Sequence, residues 1–429
     1  MKTPPPKVTL LWGLAWRISA GQIVSWGILY YAFTVVVGPM QTATGWSRPF
    51  LNAGLSLGLL TWGICAFPAG VWIQRRGGRG IMTLTSFAGG GALALMGFAT
   101  QPPIYLAAWL LLGAAMVGVL YEPAFAVITA HFGPHYRCGI TLVTLVGGLA
   151  STAFIPLTQF AVDRLGWRDA LISLGVLQTM ACTPLYFWGI PRHQPRSIPA
   201  KEAVPTRTVA RVSAWWKELH GDISDPRFLG LAIWFTAHAA AFSGLIFQLV
   251  PILQSVRVPT ATILQAIALI GPIQVLGRLA LAAWGDRFAS LRVGGWAMFV
   301  LGASLLIMIV SRPTLASLAV FAALYGASNG VMTILRGTAI AELFGRERYA
   351  ELNGALSLPA VLAKAASPFV LATLWTATGH YESVFAALLA LIAIGAAGLR
   401  LSRNASSSRQ RTRPKPAASL LAPSTPKLE

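Results

Sequence analysis

Residues Gly354–Thr376 read GALSLPAVLAKAASPFVLATLWT. A helix needs about 20 apolar residues to cross the hydrocarbon core of a bilayer. This run supplies them with a single charge, Lys364, near its middle. A cation at that depth costs about 2.5–3.5 kcal/mol on insertion scales unless a partner or a water-filled cavity relieves it. No acidic residue lies within one helical turn of Lys364 in sequence. The stretch therefore reads as membrane-spanning and poses the functional question of what the cation is for. Arg278, inside another apolar run, is equally without an acid nearby. Two such cations point to an anion as their ligand.

Working outward, the composition agrees. The chain has 429 residues, 55% hydrophobic and 11% charged, where soluble domains carry about 25% charged residues. Apolar runs recur twelve times, at roughly 10–38, 50–74, 81–100, 104–130, 139–162, 169–190, 228–253, 261–285, 293–311, 314–340, 353–377 and 383–400. The fold class is an all-α membrane protein of twelve transmembrane helices in two pseudo-symmetric six-helix halves, 1–190 and 228–400. A polar central loop, 191–227, divides them, and within it Val212–His220 (VSAWWKELH) has the pattern of a short interfacial helix. The segment 401–429 is rich in Ser, Pro, Arg and Lys and is expected to be a disordered basic cytoplasmic tail. The first run is too long and too interrupted for a signal-peptide core, so it is expected to be retained.

The formal net charge of +20 raises the question of nucleic acid. Placement answers it: with the N-terminus inside, 24 of the 33 Lys and Arg fall on inner segments, five on outer ones and four within spans. This is the asymmetry of the positive-inside rule. The partner it implies is the lipid bilayer and not nucleic acid, with both termini cytoplasmic and a bacterial inner membrane as the expected location. Cys65, Cys138 and Cys182 are scattered without a CxxC pair, so no structural metal is expected. A thiol site for a soft metalloid stays open as an alternative. No phosphate-binding loop or nucleophile–base set is present, so neither an enzyme nor a cofactor is expected.

The halves echo each other. Gly113–Gly133 (GAAMVGVLYEPAFAVITAHFG) resembles Gly326–Gly345 (GASNGVMTILRGTAIAELFG), both Gly-rich, both with a charge in the later half, both ending in Phe-Gly. Paired halves are the mark of a carrier whose site lies between them near the midplane. The loop Gly70-Val71-Trp72-Ile73-Gln74-Arg75-Arg76-Gly77-Gly78-Arg79 resembles the signature of the major facilitator superfamily, with Gln74 where that family usually has Asp. Trp284-Gly285-Asp286-Arg287 keeps the Asp-Arg pair at the corresponding place in the second half. A tight Gly turn with cations near helix C-termini suits the helix dipole. The resemblance implies a gating role for Gly70, Arg75, Gly77, Arg79, Asp286 and Arg287.

Two stretches are similar to a narrower branch, the monocarboxylate and oxalate/formate carriers. They are Ser25-Trp26-Gly27-Ile28-Leu29-Tyr30-Tyr31 and the region from His131-Phe132 through Tyr136-Arg137 to Gly147-Gly148. The acid that proton-linked members carry before the first motif is missing, and Ile23 or Gln22 stands there. Exchangers of that branch hold dianions with one Arg in span eight and one Lys in span eleven, which implies Arg278 and Lys364 as substrate ligands.

Other buried polar residues carry two readings each. Arg278 binds substrate, or else snorkels inward or pairs with Asp286 two turns on. Lys364 is an anion ligand or a group bonded to helix carbonyls. Arg17 and Glu122 have matching depths and are expected to form an intramembrane salt bridge that helps close the inner gate; alternatively Glu122 is a proton site. Arg336 is expected to face His238, which either takes part in coupling or is simply hydrogen-bonded. Tyr30, Tyr31 and Tyr325, with Trp26 and Tyr121, either box a small carboxylate or pack. The expectation is a monomeric secondary transporter moving a small organic anion, a mono- or dicarboxylate, by alternating access, with an exchanged anion or a coupling proton. The alternative is a proton-coupled efflux pump for drugs or metalloids.

Overall fold

The apolar runs become helices because lipid offers no hydrogen bonds, so each crossing must satisfy its own backbone. A computed structural model describes residues 8–192, 220–284 and 289–412. The first half comprises α1 (Val8–Trp26), a π-helical turn (Gly27–Tyr31), α2 (Ala32–Thr44), α3 (Arg48–Arg76), α4 (Gly78–Gly97), α5 (Pro102–Val119), α6 (Tyr121–His131), α7 (Tyr136–Gly147) and α8 (Ala150–Gly189). The second comprises α9 (Pro226–Ser255), α10 (Thr260–Trp284), α11 (Ser290–Val310), α12 (Leu315–Phe344), α13 (Tyr349–Thr378) and α14 (Tyr381–Thr412).

Eleven helical stretches are long and apolar enough to span a membrane among the described residues. One of them, Gly133–Gly189, has 57 residues and bends back at Gly166, whose φ of 78° falls where glycine is favoured. It makes two crossings, and the total is twelve. Caps set several starts: Ser47 accepts from the Phe50 amide, Asp225 from the Arg227 amide, and Thr314 forms a reciprocal box with Ser317.

Internal symmetry shows in the packing. Gly113 of α5 lies against the Gly58 carbonyl of α3, and Gly330 of α12 lies against the Gln274 carbonyl of α10. A side chain at either glycine would strike backbone, so the two halves use the same close crossing at corresponding helix pairs. The Phe-Gly repeats also correspond: Gly133 and Gly345 end spans four and ten at φ 55° and 80°.

One boundary differs from the sequence reading. The last helix does not stop at 400 but continues to Thr412. Ser402 is fully buried and its backbone lies against Gly230 of α9, a tertiary contact that lengthens a segment whose composition favours disorder. Residues 212–219 of the expected interfacial helix and 413–429 of the tail lie outside the described residues, as do Gly285, Asp286 and Arg287.

The end of the bundle that carries α1's first residue and α14's last is called basal here, the opposite end distal. At the basal end the halves meet: Arg137 of α7 pairs with Glu342 of α12 at 2.6 Å. Gln74 donates to the Glu347 carbonyl, Gly70 abuts the Ala350 carbonyl, and Gly354 abuts the Ala66 carbonyl. Among the described residues, the hydrogen bonds joining the halves all lie at this end or at mid-depth. Among the described residues the halves are thus in contact basally, beside a cavity of about 270 Å³ that Arg137 and Thr141 line from the first half and Leu281 and Thr338 from the second.

Candidate functional site

The first helix leaves α geometry at Gly27–Tyr31, within the Ser25–Tyr31 motif. A π-turn absorbs one extra residue and redirects the side chains it carries, and such turns cluster at functional sites. Here it sets Tyr30 and Tyr31 beside Trp26. Ring centroids are 5.4 Å apart for Trp26–Tyr30, 5.2 Å for Tyr30–Tyr31, 4.9 Å for Trp26–Tyr121 and 5.9 Å for Trp26–Trp62. The first half thus contributes a continuous aromatic wall from α1, the π-turn, α3 and α6.

The second half contributes charge. Lys364 is the sixteenth of α13's 30 residues, and its Nζ lies 5.2 Å from the Tyr30 ring centroid. Its ammonium meets an aromatic face and not a backbone carbonyl, a favourable contact for a cation. Arg278 of α10 is 5% exposed. Its Nη1 donates to the Thr144 carbonyl of α7 at 2.9 Å, so the guanidinium reaches across the seam between halves and does not snorkel. Its buried Nε has no hydrogen-bond partner. Tyr31 lies within coulombic range of both Lys364 and Arg278. Among the described residues, no carboxylate approaches either cation within 4 Å. The tertiary fold therefore brings both cations to one aromatic cluster.

Glu122 finds a different partner from the one its depth suggested. Arg17 is exposed, with its stem against Gly189 of α8. The buried face of α1 runs through Leu14, Ile18, Gln22 and Ser25, and position 17 is turned about 100° from 18. Matching depth did not mean matching azimuth. Glu122 instead accepts from Ser357 Oγ of α13 at 3.3 Å. Ser357 in turn takes a bond from Arg336 Nη2 of α12 at 2.5 Å, and Arg336 Nη1 donates to Asn353 Oδ1 at 3.1 Å. One hydroxyl thus joins the carboxylate of the first half to a guanidinium of the second, just basal to the cation cluster. Arg336 also does not face His238: its guanidinium lies 5.7 Å from the Phe235 ring. The buried His238 ring is near-parallel to Phe242 at 6.1 Å, and its Nε2 is without a partner. Tyr325 is fully buried, stacks on Phe242 at 4.4 Å, and donates its hydroxyl to the Phe242 carbonyl at 2.6 Å. It belongs to helix packing and not to the aromatic wall.

The loop resembling the family signature lies at the basal end. Gly77 turns at φ 80° between α3 and α4, Arg79 covers the Phe187 ring at 4.4 Å, and Arg75 is exposed. Gly70 makes the backbone contact with α13 described above.

Sequence reading missed Asn353, Ser357 and Thr144, and named Gly148 only within the second motif, without a role. The first two were findable, since Asn353, Ser357 and Lys364 recur at helical spacing on one face of α13. Gly148 abuts the Arg278 Nη1 and leaves no room for a Cβ. Thr144 acts through its carbonyl, and no side-chain pattern reports that.

Comparison with known proteins agrees with this architecture. The sequence profile described as Major Facilitator Superfamily matches residues 18–279, more than half of the chain. An uncharacterized MFS-type transporter of Bacillus subtilis, YcxA, is 23% identical over 281 residues, 61% of this chain and 65% of the relative. Monocarboxylate transporter 12 of Mus musculus is 23% identical over 326 residues, 69% of this chain and 66% of the relative. The chain thus spans just under two thirds of each. Among solved structures, the human organic anion transporter MFSD10 superposes with a TM-score of 0.68 at 16% identity, covering 93% of this chain and 100% of that one. FucP in the outward conformation gives 0.66 at 13% identity, covering 90% and 97%. At these identities the superpositions speak for the fold.

Proposed function

The chain belongs to the major facilitator superfamily, and from that premise we propose that this secondary transporter moves a small organic anion, a mono- or dicarboxylate, with Arg278 and Lys364 as its charge partners. The observation that carries the reading is that Lys364 sits 5.2 Å from the Tyr30 ring centroid while Arg278 reaches across the seam to the Thr144 carbonyl, with no carboxylate within 4 Å of either among the described residues. Glu122 is hydrogen-bonded to Ser357, which Arg336 also meets, and it acts on Lys364 only through space, which leaves the direct contacts of Arg278 and Lys364 to substrate. An uncompensated charge at this depth is costly, and a dicarboxylate matches both. Tyr30 and Tyr31 receive the apolar part or the acceptor oxygens of such a ligand. The sequence likeness to monocarboxylate transporter 12 supports the anionic class.

With the basal end cytoplasmic, as the basic loops imply, the basal seam is the gate of an outward-facing carrier. Alternating access then rocks the halves about the central cluster. An empty site whose two cations have no carboxylate within 4 Å disfavours the return step, which couples export of one anion to import of another.

The test is a thermal-stabilisation screen of the purified full-length protein against small mono- and dicarboxylates, metalloid oxyanions and lipophilic cations. Stabilisation by a carboxylate, lost in Lys364→Gln while the unliganded melting temperature holds, is the expected outcome. Stabilisation by lipophilic cations alone would overturn it in favour of an efflux pump working through Glu122.

A further inference from the structure

The fourth span is broken at mid-depth, and its sequence explains why. In a continuous helix the Val119 carbonyl would accept from the amide of residue 123, but residue 123 is proline. Its ring also clashes with that carbonyl. The chain accordingly leaves helical geometry at Leu120, with φ −79° and ψ −148°, and resumes at Tyr121. The next bond, Ala124 amide to Leu120 carbonyl, is stretched to 3.5 Å. Two carbonyls are thus left unsatisfied or nearly so, where no bulk solvent can serve them, at a cost of several kcal/mol each.

Gln22 of α1 meets both. Its side chain is fully buried, and Nε2 donates to the Val119 carbonyl at 2.7 Å and to the Leu120 carbonyl at 3.3 Å. The residues immediately after the break are Tyr121, whose ring meets Trp26, and Glu122, whose Oε1 accepts from Ser357. We propose that Gln22 is a positioning residue: it holds the fourth span open at Leu120 and thereby fixes Tyr121 at the aromatic wall and Glu122 at the bridge between halves. It touches no substrate itself. It also gives the position before the aromatic motif a use other than proton coupling, since an amide donor there serves the neighbouring helix. The twelfth-numbered helix, α12, contains no proline, runs unbroken from Leu315 to Phe344, and needs no such donor.

The transport consequence rests on the anion reading above, so the experiment separates the two. Amide hydrogen exchange is measured on the purified full-length protein as wild type, Gln22→Leu and Gln22→Glu, at pH 5 and pH 8, with malonate-induced thermal stabilisation recorded in parallel. Losing the donor should raise exchange over residues 117–126 in Gln22→Leu by about tenfold, the worth of roughly one net hydrogen bond, with the second half affected at most around Ser357, which bonds Glu122. Gln22→Glu should show the same change at pH 8 and recover at pH 5, where a protonated acid again donates. The malonate midpoint should rise by about tenfold in step with the exchange change. Unchanged exchange over 117–126 in Gln22→Leu overturns the proposal, and so does a change spread evenly over both halves, which would mark a general loss of fold. If malonate stabilises none of the three, the carboxylate reading fails while the exchange pattern still decides on Gln22.

Discussion

The two halves share a plan but not an occupation. At corresponding crossings they use the same glycine-on-carbonyl packing, Gly113 on Gly58 and Gly330 on Gln274, and the same positive-φ glycine after spans four and ten. At the centre they diverge. The first half breaks its helices, with a π-turn at Gly27–Tyr31 and an interruption at Leu120, and presents rings. The second keeps α12 unbroken and presents Lys364 and Arg278. The packing of the two halves is thus symmetric, while at the centre one half carries charge and the other carries rings.

If charge resides in the second half, Arg278→Ala should be the most damaging change. Carboxylate affinity should fall by at least about 100-fold, the cost of truncating one side of a desolvated charge pair, as read by ligand-induced stabilisation. A comparable loss in Tyr31→Phe would break the division of labour. Next comes the bridge between halves. Ser357→Ala removes the hydroxyl joining Glu122 to Arg336, and should move the resting population toward basal opening by about tenfold, the worth of about 1.4 kcal/mol. Thiol accessibility at single cysteines placed on the basal seam checks this, and an unaltered labelling pattern would show that the seam closes without it.

Gly148→Ala belongs to the first half but acts on the second by crowding the Arg278 guanidinium. Binding should weaken by about fivefold with melting temperature nearly unchanged, because a flexible side-chain end can shift at a cost of about 1 kcal/mol. A large drop in stability would mean that the helices themselves must part. Smallest of all is Arg17→Gln. An exposed side chain without the expected carboxylate partner should alter stability by less than about 0.5 kcal/mol, and a substantial loss of transport would restore Arg17 to the gate.

Much of the fold is legible because membrane helices declare themselves locally. Run length and charge asymmetry give the crossings, whereas the break at Pro123 is not announced by residue type, since Pro68, Pro272 and Pro359 lie inside continuous helices. The end of α14 is not legible in the same way, since the helix runs on to Thr412 and packs Ser402 against Gly230 of α9. At the site, Lys364 and Arg278 stand out as charges in apolar runs, and the Asn353–Ser357–Lys364 stripe is readable at helical spacing. Tyr325 misleads: its residue type suits a cavity, but its hydroxyl is consumed by the Phe242 carbonyl. Carbonyl partners such as Thr144 and the Val119–Leu120 pair leave no trace in residue type at all.

The sequence by itself determined that this chain spans a membrane in two related halves and carries two cations there without an acid within a turn. Tertiary structure alone decided that Arg278 and Lys364 reach one cluster, that Glu122 meets Ser357 and Arg336 and leaves Arg17 aside, and that the halves meet at the basal end. The physical reason is range. Hydropathy and helical period act over a few turns of one helix and fix depth, whereas pairing between helices depends on azimuth and on side-chain packing across a seam.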